Sequence, residues 1–174
     1  MKSLIVALFL LVALPFAAQA APAADGAKIG SVDIQKVLVL SDAGKDAKDQ
    51  LSQRASKYEA EKGTREGELK KLKGELEQQG TVLTDNARAD KERDYQQKLK
   101  EYQRFLKDAQ DDLQAKNDEL TGRLVDEIVK VAQEYGKSHG YTAIFVKNDS
   151  LVYLDQKADV TDAILAAFNQ SGKK

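Results

Sequence analysis

The chain has 174 residues, of which 32% are charged and 6% aromatic, and its formal net charge is −1. Many charges and few aromatic side chains leave a small apolar core for this length, and a balanced charge gives no concentrated basic face for nucleic acid. The chain has no Cys and one His, which excludes disulfides and leaves no set of ligands spaced for zinc. We therefore expect extended helices, without a metal or another cofactor.

Residues 1–20 are typical of a secretory signal peptide. Lys2 supplies a positive start, residues 4–18 form a continuous apolar run, and Ala18-Gln19-Ala20 is a small-x-small cleavage site. We predict cleavage after Ala20, a flexible stretch over 21–27, and a soluble, exported protein. The alternative is an uncleaved N-terminal anchor.

The next segment predicts a strand and a short helix. Residues 28–34 contain β-branched residues in alternation, which favours a strand, and Asp33 could cap the following helix. Residues 35–40 are strongly apolar, so we expect them to be buried. Ser41, Asp42 and Gly44 indicate a kink or a fresh helix start.

From about Lys45 the pattern changes to heptads with a narrow seam that includes polar residues such as Lys62 and Arg65. Residues 80–85 interrupt it, and Thr84 or Asp85 is a suitable N-cap for a second helix. Two long helices joined by a short turn pack antiparallel. Each should span at least about 38 residues, or roughly 57 Å at about 1.5 Å per residue.

Beyond Leu120 the apolar face of the second helix widens, which indicates burial in something larger than a helix pair. Gly140 is a candidate C-cap. Residues 141–146 and 151–154 predict two strands around a turn, and Asp159 or Thr161 could cap a last helix over 160–169.

The predicted fold is α+β and mostly α. Residues 28–44 and 138–174 form a small β-body, and residues 45–137 form a long antiparallel coiled-coil hairpin, the arm. Three short strands leave open sheet edges, which favours completion by oligomerisation, with no subunit number fixed by the physics. The predicted contacts between subunits are Ile29, Val32, Ile144, Val146, Val152 and Leu154.

Two features of the arm have competing interpretations. Tyr102 and Phe105 in mid-arm, and Val82 and Leu83 at the tip, either bind unfolded apolar chains or pack locally within the hairpin. Three glycines lie off the seam and each weakens a helix by about 1 kcal/mol relative to Ala. Gly63, Gly67 and Gly74 indicate either a deliberately soft arm or tolerated drift.

No catalytic constellation is evident, so we predict that the protein is not an enzyme. His139 is the single His, and no Gly-rich phosphate loop follows a strand.

The order of these segments resembles the Skp (OmpH-like) periplasmic chaperones over essentially the whole mature chain. The resemblance rests on residues 28–33, 41–45, 80–88, 100–105 and 159–164. It implies a homotrimer with a central β-body and three helical arms around a cavity. That cavity would hold unfolded outer-membrane proteins without ATP, and the outer-membrane assembly machinery is a further possible partner.

The charge departs from the strongly basic members of that family. Residues 45–137 contain 20 Lys and Arg against 21 Asp and Glu. A lipopolysaccharide site and electrostatic capture of clients are therefore doubtful, and we expect salt to change client protection little. A structural coiled-coil spacer or adaptor of the cell envelope is the alternative function, but a spacer calls for a better filled seam and stiffer helices.

Overall fold

The computed structural model describes residues 26–79 and 83–172, so the predicted signal peptide lies outside the described residues. The chain is mostly helical. Its elements are β1 (Ile29–Val32), α1 (Ile34–Leu40), α2 (Asp42–Gln79), α3 (Asp85–Ser138), β2 (Ala143–Val146), a 3-10 turn (Gln156–Ala158) and α4 (Thr161–Ser171).

The apolar core lies where α1, α4 and the C-terminal part of α3 meet. Val37, Ile128 and Ile164 are fully buried there, and Leu120 and Leu124 extend the core along α3. We call residues 28–44 and 120–172 the base. From here on, the arm means residues 45–119, because α3 joins the core from Leu120 onward. The predicted widening of the apolar face beyond Leu120 corresponds to this packing.

The junction between α1 and α2 depends on short polar contacts. Asp33 caps α1 as predicted, since its Oδ1 accepts from the backbone N–H of Lys36 at 2.8 Å. Ser41 Oγ accepts from Gly44 N–H at 3.1 Å, so a fresh helix does begin here. A Cβ on Gly44 would lie 1.6 Å from the carbonyl oxygen of Leu38, which explains why this position needs glycine.

The expectation that residues 35–40 are buried is wrong for four of them, since Gln35 and Lys36 are exposed as well as Val39 and Leu40. Val39 is 65% exposed and Leu40 is 44% exposed, whereas Val37 is fully buried. A helix of seven residues rests on the core by one side only, so its opposite side faces outward even though it is apolar.

The sheet has two parallel strands rather than three. β1 pairs with β2 in a register that runs from Ile29 opposite Ala143 to Val32 opposite Val146. The predicted strand at 151–154 is wrong in this described part of the chain, where Val152 is 95% exposed. A strand needs an apolar surface on which to pack, and this chain leaves the Val152 side chain uncovered.

The ends of α3 follow the predicted signals. Thr84 Oγ1 accepts from Ala87 N–H at the start of α3. Gly140 has φ +67°, and Tyr141 N–H donates to the carbonyl of Gly136 at 2.9 Å, which closes the helix end. At α4 the N-cap is Val160, so the prediction of Asp159 or Thr161 as the cap is wrong. Asp159 lies one residue ahead of the cap, and its Oδ1 accepts from Thr161 N–H at 2.9 Å.

Candidate functional site

The arm is the part of the chain with the least apolar core. Among the described residues of 45–119, the buried apolar side chains are two alanines, Ala47 at 7% exposure and Ala109 at 8%. Seam residues such as Leu69, Leu99 and Leu113 are only half-buried. The predicted weak seam is therefore what the structure contains, and the pairing of α2 with α3 relies heavily on polar contacts.

Asp112 makes the main polar contact between α2 and α3 near the base. Its carboxylate accepts from Arg54 Nη2 at 2.6 Å and from the Tyr58 hydroxyl at 2.8 Å. These hydrogen bonds, first from Arg54 and then from Tyr58, hold the pKa of Asp112 below its ordinary value. The ionised carboxylate therefore fastens α3 to α2 at this height.

Further contacts between α2 and α3 follow along the arm, with residue numbers that rise on α2 and fall on α3. The Tyr102 hydroxyl donates to Glu66, and this hydrogen bond raises the pKa of Tyr102. Lys98 lies 3.9 Å from Glu68. Lys91 donates to Glu75, which lowers the pKa of that carboxyl. Positions that advance along α2 thus meet positions that recede along α3.

Phe105 and Tyr102, the predicted mid-arm client residues, are both engaged in this pairing. The ring of Phe105 meets Tyr58 edge-on with centroids 6.0 Å apart, and the Arg65 guanidinium lies 4.5 Å from the Phe105 centroid. Both Phe105 and Tyr102 are half-buried. Their immediate surroundings are those of packing residues, the alternative that the sequence left open.

A groove beside this cluster presents more apolar surface to solvent. It has a volume of about 450 Å³, and Leu106 on its wall is 38% exposed. Its other apolar lining residues are Ala55, Tyr58, Phe105, Ala109 and Leu113. Leu106 is not among the predicted site residues, because its seam position predicts burial.

Leu83, one of the two predicted tip residues, is not brought to this groove. It is half-buried one residue ahead of the N-cap of α3, and the other tip residue, Val82, lies outside the described residues. Leu83 precedes Phe105 by 22 positions, roughly 33 Å along a helix at about 1.5 Å per residue. Leu83 therefore forms no common patch with Tyr102 and Phe105.

The three glycines in the arm part of α2 have open surroundings, unlike Gly44 at its start. A Cβ built on Gly63, Gly67 or Gly74 meets no heavy atom within 4 Å. Close packing of another element therefore does not explain them, and the soft-arm interpretation stays a prediction.

The predicted oligomerisation residues lie in different environments. Val32 is 2% exposed and belongs to the chain's own core, so its prediction as a contact between subunits is wrong for this structure. Ile144 packs under Gly136, and Leu154 is half-buried. Ile29, Val146 and Val152 are exposed.

Exposed large apolar side chains concentrate in the base. Seven of the eight found among the described residues belong to it, and the eighth is Leu106. The seven are Ile29, Val39, Leu40, Phe145, Val146, Val152 and Tyr153. An apolar concentration of this kind is typical of a surface that another protein covers.

The residues that the structure describes contain neither a cluster of metal ligands nor a membrane-spanning helix. Over 26–79 and 83–172, no three or more His, Asp or Glu side chains are grouped as metal ligands. No helix in the same ranges is long and apolar enough to cross a bilayer.

Comparison with known proteins identifies the family. The family model for OmpH-like outer membrane proteins matches residues 28–168. The chain belongs to the OmpH-like family. This membership supports a chaperone role at the level of the family. No curated protein sequence matches the chain.

A solved structure shares the OmpH-like fold of this chain. It is that of a candidate outer membrane chaperone (OmpH-like) from Caulobacter crescentus CB15, with a TM-score of 0.78 and 17% sequence identity. The alignment covers 83% of this chain and 85% of that one. At this identity the likeness demonstrates the fold alone.

Proposed function

We propose that this OmpH-like protein is an ATP-independent holding chaperone of the periplasm, exported by the signal peptide at 1–20. Its clients are unfolded outer-membrane proteins, which it keeps from aggregating. The observation that carries the proposal is the family match over 28–168, together with a long arm whose buried apolar side chains, among the described residues of 45–119, are Ala47 and Ala109.

The base is the proposed trimerisation region. Seven exposed apolar side chains and the unpaired outer edge of β2 call for a partner, and a second and third copy supply both an apolar surface and strands. Val146→Asp, at an exposed position of β2, is expected to dissociate the trimer, whereas a monomer in the unmutated protein, measured by light scattering, would refute this assembly.

The arms are the proposed client-binding elements. The reverse order of the contacts along α2 and α3 supports an antiparallel coiled-coil hairpin, and three such hairpins enclose a cavity. Many weak apolar contacts inside it hold an unfolded chain without a rigid site. Within each arm, the groove at Leu106 provides apolar contact while Phe105 shapes its floor.

An aggregation assay tests this function directly. An unfolded outer-membrane barrel protein is diluted from urea with and without the mature chain, and light scattering is recorded. We expect suppression by the wild type and at least about twofold weaker suppression by Leu106→Ser. Ala115→Ser, an exposed position on the same helix, is the matched control and behaves as wild type. Absence of suppression by the wild type would favour the spacer.

A further inference from the structure

The α2–α3 pair carries two zones of opposite charge, and the residues outside both zones at 74–92 carry two basic and five acidic side chains. Residues 42–61 and 108–127, the proximal zone, carry six basic and twelve acidic side chains. Residues 62–73 and 93–107, the distal zone, carry ten basic and four acidic side chains. The proximal zone therefore has a net charge of −6 and the distal zone +6.

The helix pairing keeps each zone together in space. Arg54 contacts Asp112 within the proximal zone, and Glu68 contacts Lys98 within the distal zone. The zone centres on α3 lie roughly 26 Å apart at about 1.5 Å per residue. This distance exceeds the screening length of about 8 Å at physiological salt, so each zone acts as a separate charge.

One stripe of α3 presents both zones to solvent. Its positions recur alternately every four and three residues, which places them on one side of the helix, away from the seam. All six are exposed, and the basic members precede the acidic ones. In order they are Lys100, Arg104, Lys107, Asp111, Gln114 and Asp118.

The stripe is complementary to a reversed copy of itself. A twofold axis near Ala109 would place Lys100 of one copy against Asp118 of the other, and Lys107 against Asp111. Arg104 would meet Gln114. Such a contact uses the same surface on both partners and closes after two copies. Two stripes in direct contact and pointing in the same direction would instead set like charges side by side and repel.

We propose that the arm stripe is a self-association surface, through which two copies dock arm to arm in opposite directions by charge complementarity. The partner is a second copy of this chain, whether the associating unit is one chain or its base-linked oligomer. The contact needs no client and does not rest on the chaperone function. Because exposed ion pairs are individually weak, the association depends on whole zones and is sensitive to salt.

A salt series on the wild-type protein is the first test. Raising the salt from about 0.01 M to about 1 M shortens the screening length from about 30 Å to about 3 Å. By sedimentation velocity, we expect the mass of the unit to double at low salt and to return to its single value at high salt. A mass that does not double at low salt, or a doubled mass that persists at high salt, overturns the proposal.

Complementary variants provide the second test. Lys100→Glu with Arg104→Glu and Lys107→Glu makes the stripe acidic, and Asp111→Lys with Gln114→Lys and Asp118→Lys makes it basic. At low salt we expect each variant alone to keep the mass of a single unit, and an equimolar mixture of the two to show twice that mass. Doubling in the mixture also shows that both variants are folded. Doubling by either variant alone, or no doubling in the mixture, contradicts the proposal. Aggregation protection measured at high salt reports separately on the chaperone function.

Discussion

The base and the arm are both mostly helical, yet different forces stabilise them. In the base, fully buried residues such as Val37, Ile128 and Ile164 form one apolar core. In the arm, half-buried seam residues alternate with polar contacts such as that of Asp112 with Arg54. This difference shows that a small apolar core in the base can anchor a long arm in which the packing of α2 against α3 is weak. Apolar burial therefore governs the base, while helix propensity and charge govern the arm.

The largest expected difference follows from removing apolar volume. Ile128→Ala should lower the free energy of unfolding by about 2–5 kcal/mol, because it leaves a cavity in a packed core. Leu99→Ala in the half-buried seam should cost only about 1 kcal/mol. Urea denaturation at fixed protein concentration measures both, and equal costs would contradict the contrast.

The glycines of the arm should respond in the opposite direction. Replacing Gly63, Gly67 and Gly74 together by Ala should stabilise α2 by about 2–3 kcal/mol, because each Cβ meets open space. Thermal unfolding followed by circular dichroism measures this change. Ala115→Gly is the reciprocal control and should cost about 1 kcal/mol. An unchanged midpoint in the triple variant would remove the soft-arm interpretation.

A glycine of the α1–α2 junction should behave differently from one in the exposed part of α3. Gly44→Ala should destabilise by about 1–3 kcal/mol, because its Cβ would meet the carbonyl of Leu38. Gly122→Ala, where a Cβ meets no neighbour, should stabilise by about 1 kcal/mol. Comparing the two denaturation midpoints tests the contrast, and two shifts of the same sign would refute it.

The smallest expected effect concerns pH. The pKa of Asp112 is lower in the folded arm than in the unfolded chain, so its contribution is fully present above the unfolded value of about 3.9. That contribution is lost as the pH falls through the folded pKa. The melting temperature at pH 7 should therefore exceed that at about pH 3, by less in Asp112→Asn than in wild type.

The exposed Asp126 supplies the control for this pH effect. Asp126→Asn should keep the wild-type difference between the two pH values. An identical pH dependence in wild type and Asp112→Asn would show that the contact with Arg54 does not stabilise the arm.

Features set by near neighbours could be predicted from the sequence, and features set by distant partners could not. Asp33 and Thr84 cap helices through atoms three residues away, and Gly140 ends α3 within one turn. The strand at 151–154 was predicted from its β-branched and aromatic residues, but pairing also needs a surface that this chain alone lacks. A pattern of residue types does not contain that information.

The same dependence on residues distant in sequence limits what could be predicted for the mid-arm site. Phe105 and Leu106 are adjacent, and the heptad places both near the seam. Which of them turns inward depends on the ring of Tyr58 and the guanidinium of Arg65, which belong to a helix far away in sequence. The sequence indicated Phe105 as a mid-arm apolar residue, and the structure adds the groove and its more exposed neighbour Leu106.

Hydrogen exchange with and without client tests the central claim most directly. In the free protein, amides of the arm should exchange faster than those around Ile128 in the base. On addition of an unfolded outer-membrane barrel protein, we predict new protection in α3 around Leu106 and in α2 around Ala55, with the base unchanged. Protection confined to the base, or equally slow exchange of arm and base in the free protein, would contradict the account.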